Sequence, residues 1–100
     1  MIERDSIILE YLKQNHKGRG NAVHSRELED RFNICGRSLR RVVGRLRRDY
    51  HPVCSDDSGY YYGTKQAEIT ATVCRLDELV VNISNARTGL LRSTLRKKRG

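Results

Sequence analysis

Residues 25–50 read SRELEDRFNICGRSLRRVVGRLRRDY, and the order of elements in this stretch decides the fold. Ser25 precedes RELEDRF. Serine accepts a backbone N–H at a helix start, and Glu27, Glu29 and Asp30 put negative charge in the first turns, where the helix dipole favours it. Leu28 and Phe32 are four apart and share a face, so a short helix is predicted over 26–32. Asn33, Ile34 and Cys35 break it, and Gly36 permits a sharp turn. Helical periodicity resumes over 37–50. Pro52 ends that run, because it disfavours helix at His51 and has no N–H to donate.

The second helix divides cleanly on a helical wheel. With Leu39 at 0° and about 100° per residue, Val43 falls near 40°, Leu46 near 340°, Tyr50 near 20° and Val42 near 300°. These make one apolar face that packs on Leu28, Phe32 and an earlier helix. Arg37, Arg41 and Arg48 fall near 160–200°, with Gly44 beside them near 140°. Arg45 and Ser38 flank that group near 240–260°, and Arg40 and Arg47 lie near 80–100° on the other side. A glycine inside a helix costs about 1 kcal/mol relative to alanine. Close approach to the wall of a groove offsets that cost, and so does close packing of another helix. The angle of Gly44, away from Leu39 and Leu46, favours the groove.

Upstream, DSIILEYLKQNHK (5–17) predicts a helix capped by Asp5 or Ser6, with Ile8, Leu9 and Leu12 on one stripe and GRGN (18–21) as its stop. AVH (22–24) predicts a short strand. Downstream, Val53–Ser55 and Tyr60–Tyr62 are β-prone runs joined by DDSG, which is hairpin chemistry. Strand alternation buries at least one or two of Tyr60, Tyr61 and Tyr62, and core packing is favoured over base stacking for them. Thr64 then caps a helix running to Gly89. Within it Ile69, Val73, Leu76, Val80 and Ile83 continue to Arg87 and Leu90 at alternating steps of four and three, a heptad seam with one charged interruption. Residues 90–100 are basic and are expected to fray.

The fold class is therefore mainly α with a small β-hairpin, followed by a long C-terminal heptad-patterned helix. Helix, short strand, helix, tight turn, helix and hairpin is a layout that resembles the winged helix-turn-helix family across residues 5–63. SRELEDRFNICGRSLRRVVGRLRRDY is similar to the helix-turn-helix units of small bacterial regulators such as the N-terminal domain of biotin repressors, and PVCSDDSGYYY looks like a wing. With the trailing helix, the chain resembles small winged-helix proteins of prophages from Gram-positive bacteria. The resemblance implies a DNA-binding domain over 1–63, a C-terminal helix over 64–89 and a basic tail over 90–100. It also implies a cytoplasmic transcriptional regulator or phage-type accessory factor that binds double-stranded DNA.

Helix-turn-helix docking brings the N-terminal part of the second helix to base edges. Arg37, Ser38 and Arg41 are assigned to base readout on that geometry. Arg45 reaches bases or backbone, Arg40 and Arg48 meet phosphates, and Gly44 permits the approach. Arginine suits both tasks, since its planar fork meets guanine O6 and N7 or bridges phosphate oxygens. Family wings often carry basic residues, whereas this tip is Asp56-Asp57-Ser58-Gly59. It is expected to stay off the duplex, so that Asp56→Lys would raise non-specific affinity.

Charge distribution supports a polyanionic partner. The net charge is +8, and all of the excess lies in 36–50 and 92–100, each contributing +5 against −2 in 51–63. No apolar run is long enough to span a bilayer, and no secretion signal is evident at the start. Cys35, Cys54 and Cys74 are widely spaced, with no CxxC and no histidine at ligand distance, so no metal or other cofactor is expected. No phosphate-binding glycine loop, HExxH or nucleophile–base arrangement points to an enzyme. A helix of about 25 residues spans about 37 Å, more than a 60-residue domain covers well. Ile69, Val73, Leu76, Val80 and Ile83 are therefore assigned to a homodimer interface, while packing on the chain's own domain stays open. The alternative function is a protein–protein adaptor whose contact with DNA or RNA is secondary.

Overall fold

The computed structural model describes residues 3–99, with side chains described through Ser93. Helix α1 spans Glu3–Asn15, a 3-10 turn spans Arg19–Asn21, α2 spans Ser25–Phe32 and α3 spans Gly36–Arg48. Strands β1 (Val53–Asp56) and β2 (Gly59–Tyr62) form an antiparallel hairpin, and α4 runs from Gln66 to Arg99. The chain is thus mainly helical with one small hairpin and a long C-terminal helix, in an order compatible with a winged-helix layout.

The core forms where the amphipathic stripes meet. Ile8, Leu9 and Leu12 of α1 pack with Leu28 of α2, with Leu39, Val42, Val43 and Leu46 of α3, and with Val23 and Val53. Phe32 meets the Tyr11 ring edge-on, with centroids 5.4 Å apart. The predicted strand at 22–24 is reduced to one antiparallel bridge. Val23 and Tyr60 exchange two N–H···O bonds of 2.8 Å. The end of α1 joins the same sheet edge, with Gly18 N–H on Tyr62 O at 2.8 Å and Tyr62 N–H on His16 O at 2.7 Å. Gly59 is obligatory at this junction, since it sits at φ 122° and an added Cβ would overlap the Val23 carbonyl.

Both faces of the hairpin are covered. Register pairs Val53 with Tyr62 and Ser55 with Tyr60, and Val53, Tyr60 and Tyr62 pack on the main core. On the opposite face Cys54 pairs with Tyr61, and both are buried. There the first turns of α4 lie against the hairpin, with the Ser55 N–H on Thr72 Oγ1 at 3.3 Å. Tyr61 is thus buried and Tyr60 and Tyr62 are half-buried on the other face, so the core packing expected of these tyrosines is observed, with both faces of the strand covered.

Several local expectations are corrected. Asp5 does not cap α1. It lies inside the helix, almost fully buried, and its partner is on α3. Ser25 is the first residue of α2, and His24 is the cap without a side-chain bond. Thr64 does not cap α4 with its hydroxyl. Instead the Glu68 carboxylate accepts the N–H groups of Thr64 at 2.9 Å, Lys65 at 3.2 Å and Arg19 at 2.9 Å. These bonds to its charged form hold the Glu68 carboxyl below its usual range.

The end of α3 also differs. The helix stops at Arg48, and Tyr50 takes φ 69° and is 95% exposed rather than joining the apolar face. Tyr50 N–H bonds Arg47 O and His51 N–H bonds Leu46 O, each at 3.0 Å, which is a Schellman closure with tyrosine where glycine is usual. A left-handed conformation costs a non-glycine residue roughly 1–2 kcal/mol. Finally, α4 continues through Gly89 to Arg99 instead of ending at Gly89. A glycine stops a helix when it takes positive φ, and Gly89 does not. Leu90, Leu91 and Arg92 then carry the helix on as good formers. Gly100 and the side chains from Thr94 onward lie outside the described residues.

No helix among the described residues is long and apolar enough to cross a membrane. Among those residues no group of three or more His, Cys, Asp or Glu side chains is placed to hold a metal ion.

Candidate nucleic-acid interface

The apolar face of α3 is consumed by the core, so its polar face is fixed outward. Leu39, Val42, Val43 and Leu46 are each 0–2% exposed. Arg37, Arg40, Arg41 and Arg48 are exposed, and Ser38 and Gly44 are half-buried. An open depression on this face is lined by Arg37, Arg40, Arg41, Gly44, Arg45 and Arg48. The fold therefore gathers six of the seven predicted contact residues around one surface. Ser38 stands at the start of the same helix, where its hydroxyl accepts the Cys35 S–H at 3.4 Å. When Cys35 ionises, the Ser38 hydroxyl can donate to the thiolate instead, and this together with nearby backbone N–H groups draws the exposed thiol below its ordinary value.

The arginines fall into two groups by what they touch. Arg45 donates from Nε to Asp5 Oδ2 at 2.8 Å and from Nη2 to Asp5 Oδ1 at 3.1 Å. This bidentate pair clamps α3 to α1 and raises the Arg45 pKa above its ordinary value. Arg47 is drawn inward instead. Its Nε donates to Val53 O at 2.8 Å and its Nη2 to Ser55 Oγ at 3.1 Å, tying α3 to β1. Burial lowers the Arg47 pKa, since its partners are neutral. Arg37, Arg40, Arg41 and Arg48 have no ion pair among the described residues.

Gly44 sits among those four. An added Cβ would meet only Arg48 Nη1, at 3.4 Å. No other helix packs on Gly44 among the described residues, so intramolecular close packing does not account for it.

The hairpin tip is arranged differently. Asp56 accepts Arg19 Nε at 2.9 Å and also the Ser58 N–H at 2.8 Å, closing the turn. That carboxylate raises the Arg19 pKa. Asp57 is fully exposed and takes Arg75 Nη1 of α4 at 3.2 Å. Both tip carboxylates are thus engaged by arginines of the same chain.

These pairs were not foreseen from the sequence. Asp5 and Arg45 lie 40 positions apart, and no local pattern links them. One signal was present for Arg45. It falls near 240° on the wheel, at the boundary between the buried and outward arcs, where a long side chain reaches back to a neighbouring helix.

The predicted dimer residues separate as well. Ile69 is half-buried and faces the hairpin, close to Gly63 and Cys54. Val73, Leu76, Val80 and Ile83 are exposed. The chain matches no family model, no curated protein and no solved structure.

Proposed function

We propose that the chain binds double-stranded DNA with α3 in the major groove, in the manner of a winged helix-turn-helix protein of the biotin-repressor type. It acts as a transcriptional regulator or as a prophage-type DNA-associated accessory factor, and it is not an enzyme. One observation carries this reading: α3 presents four exposed arginines without a carboxylate partner, around a glycine that leaves the surface low. By contrast, Arg45 on the same helix and Arg19 and Arg75 on other elements are each matched to an aspartate. Unpaired guanidinium groups on a rigid helix lose little on binding phosphate or guanine, because no internal pair has to break first.

Arg37 and Arg41 are assigned to base edges, with Ser38 beside them. Arg40 and Arg48 are assigned to phosphates. Arg45 is restricted to a positioning role by its bond to Asp5. The reading includes a homodimer through α4, carried by the exposed apolar residues from Val73 to Ile83.

Titrating labelled duplex at several salt concentrations tests it. Each neutralised phosphate contributes a slope of about −0.9 in log affinity against log salt, so several contacts give a steep decline. Salt-independent or undetectable duplex binding overturns the reading, and preference for single-stranded or double-stranded RNA of equal length redirects it. The projecting apolar stripe of α4 favours a second reading, in which the chain is an adaptor for another protein. Undetectable duplex binding together with a monomeric chain in sedimentation favours that reading.

A further inference from the structure

The continuity of α4 through Gly89 joins two halves of opposite charge into one rod of about 51 Å. Residues 66–83 hold Glu68, Asp77 and Glu78 against Arg75, a net of −2, whereas residues 84–99 hold six basic residues and no acid. Every described residue from Val73 to Ser93 is exposed, and apolar positions recur along one side. That stripe runs into an apolar groove of about 320 Å³, lined in part by Tyr50, Pro52, Ile69, Val73 and Leu76. At its mouth stands Tyr50, held outward in a left-handed conformation that its own fold gives no packing reward for.

We propose that α4 pairs antiparallel with α4 of a second copy, in the register that sets Val73 beside the partner's Leu90. Charge complementarity selects this occupant and direction. Antiparallel pairing lays the basic half of each rod along the acidic half of the other. Parallel pairing stacks basic half on basic half and Arg87 on the partner's Arg87. Seam positions then match in layers: Val73 with the partner's Leu90, Leu76 with the partner's Arg87, and Val80 with the partner's Ile83. Arg87 comes level, within about one residue's rise of 1.5 Å, with the partner's Asp77, so the charged interruption of the seam gains a carboxylate. The partner's Leu90 and Leu91 arrive at the groove beneath Tyr50. This arrangement rests on the dimer proposed above and specifies its direction and register.

Disulfide trapping tests it in the full chain, with Cys35 and Cys74 replaced by serine and buried Cys54 retained. Val73→Cys chains and Leu90→Cys chains of distinguishable mass are oxidised separately and after mixing and exchange. A heterodimeric disulfide in the mixture, and none in either chain alone, is the expected result. In this register two copies of position 73 lie about 25 Å apart along the helices, beyond disulfide reach. A disulfide in either chain alone overturns the proposal in favour of parallel pairing. A dimer in sedimentation that gives no disulfide in the mixture overturns the register. A monomer in sedimentation overturns the dimer itself and this proposal with it. As a second measurement, Arg87→Glu weakens dimerisation about tenfold through its two symmetry-related pairs, and adding Asp77→Arg restores it. Failure of that restoration counts against the Arg87–Asp77 contact.

Discussion

The outward face of α3 and the tip of the β1–β2 hairpin carry charge of opposite sign and treat it in opposite ways. On α3, Arg37, Arg40, Arg41 and Arg48 point away from the core and form no ion pair among the described residues. At the tip, Asp56 and Asp57 are each held by an arginine from a different element, Arg19 before α2 and Arg75 on α4. The tip spends its charge on holding the fold together, whereas α3 keeps its charge available. Counting arginines does not separate these uses. Arg45 and Arg47 belong to α3 by sequence but to the scaffold by contact, one on Asp5 and the other on β1. On α3 the partner of a charge, more than its sign or its helix, separates a scaffold arginine from an available one.

The sharpest way to break the comparison is to remove charge from α3 at the two positions assigned to bases. Arg37→Ala with Arg41→Ala should weaken binding to a selected duplex by about 3 kcal/mol, roughly a hundredfold, since each base-reading arginine contributes about 1–3 kcal/mol. Stability should move by less than about 0.5 kcal/mol, because both side chains are exposed. Anisotropy titration and urea unfolding read the two quantities. Unchanged affinity in the double variant would sink the assignment of α3 as the reading element.

The converse experiment moves an arginine from the structural group toward the available one. Asp5→Ala removes the bidentate acceptor of Arg45. Two charge-assisted bonds disappear from a carboxylate that is only 2% exposed, at a cost of about 2 kcal/mol of stability. The freed guanidinium lies at the rim of the α3 surface, so non-specific duplex affinity should rise, with the salt slope steepening by up to about 0.9 if one more phosphate is met. A fall in affinity, measured under conditions where the variant is fully folded, would mean that the clamp to α1 positions the other arginines.

What the sequence made legible was local. The 3.6-residue periodicity of α2 and α3, the DDSG turn and the strand alternation of the tyrosines depend on neighbours in the chain, and the structure follows them. The outward placement of Arg37, Arg40, Arg41 and Arg48 followed from the apolar face opposite. What stayed hidden depended on distant partners or on a choice between nearly equal local states. Asp5 looked like a cap because it stood at a helix start, but α3 supplied a guanidinium that outweighed a single N–H. Tyr50 had the wheel angle of a core residue, yet Pro52 forces the chain out of the helix and His51 N–H closes it on Leu46 O. Gly89 looked like a stop, although the following residues are good helix formers and the helix passes through. The pairing of the tip aspartates was invisible because Arg19 and Arg75 lie 37 and 18 positions from their partners.

Gly44 offers a test in which stability and binding should part company. Among the described residues an added Cβ at Gly44 would meet Arg48 Nη1 alone, at 3.4 Å, so a methyl group can be accepted by a small shift of a flexible guanidinium. Gly44→Ala should therefore raise stability by up to about 1 kcal/mol through helix propensity. If the low surface at Gly44 lets α3 approach a groove, the same variant should lose duplex affinity by a comparable amount. A variant that gains stability and keeps full affinity would show that the glycine is tolerated on α3 rather than used there.

The smallest effect expected is at the hairpin tip, and it decides whether the comparison extends to function. Asp56 is a poor residue to change, because it closes the turn through the Ser58 N–H and holds Arg19. Asp56→Lys would disturb folding and charge together. Asp57 is the better probe, since it is fully exposed and its ion pair with Arg75 is a surface pair of the kind that contributes about 0–1 kcal/mol. Asp57→Lys should leave stability almost unchanged. It should raise affinity for selected and unrelated duplexes alike by a few tenths of a kcal/mol, as long-range attraction without base recognition. A rise confined to the selected sequence would instead place the tip in direct contact with bases, and the contrast between a reading helix and a structural hairpin would fail.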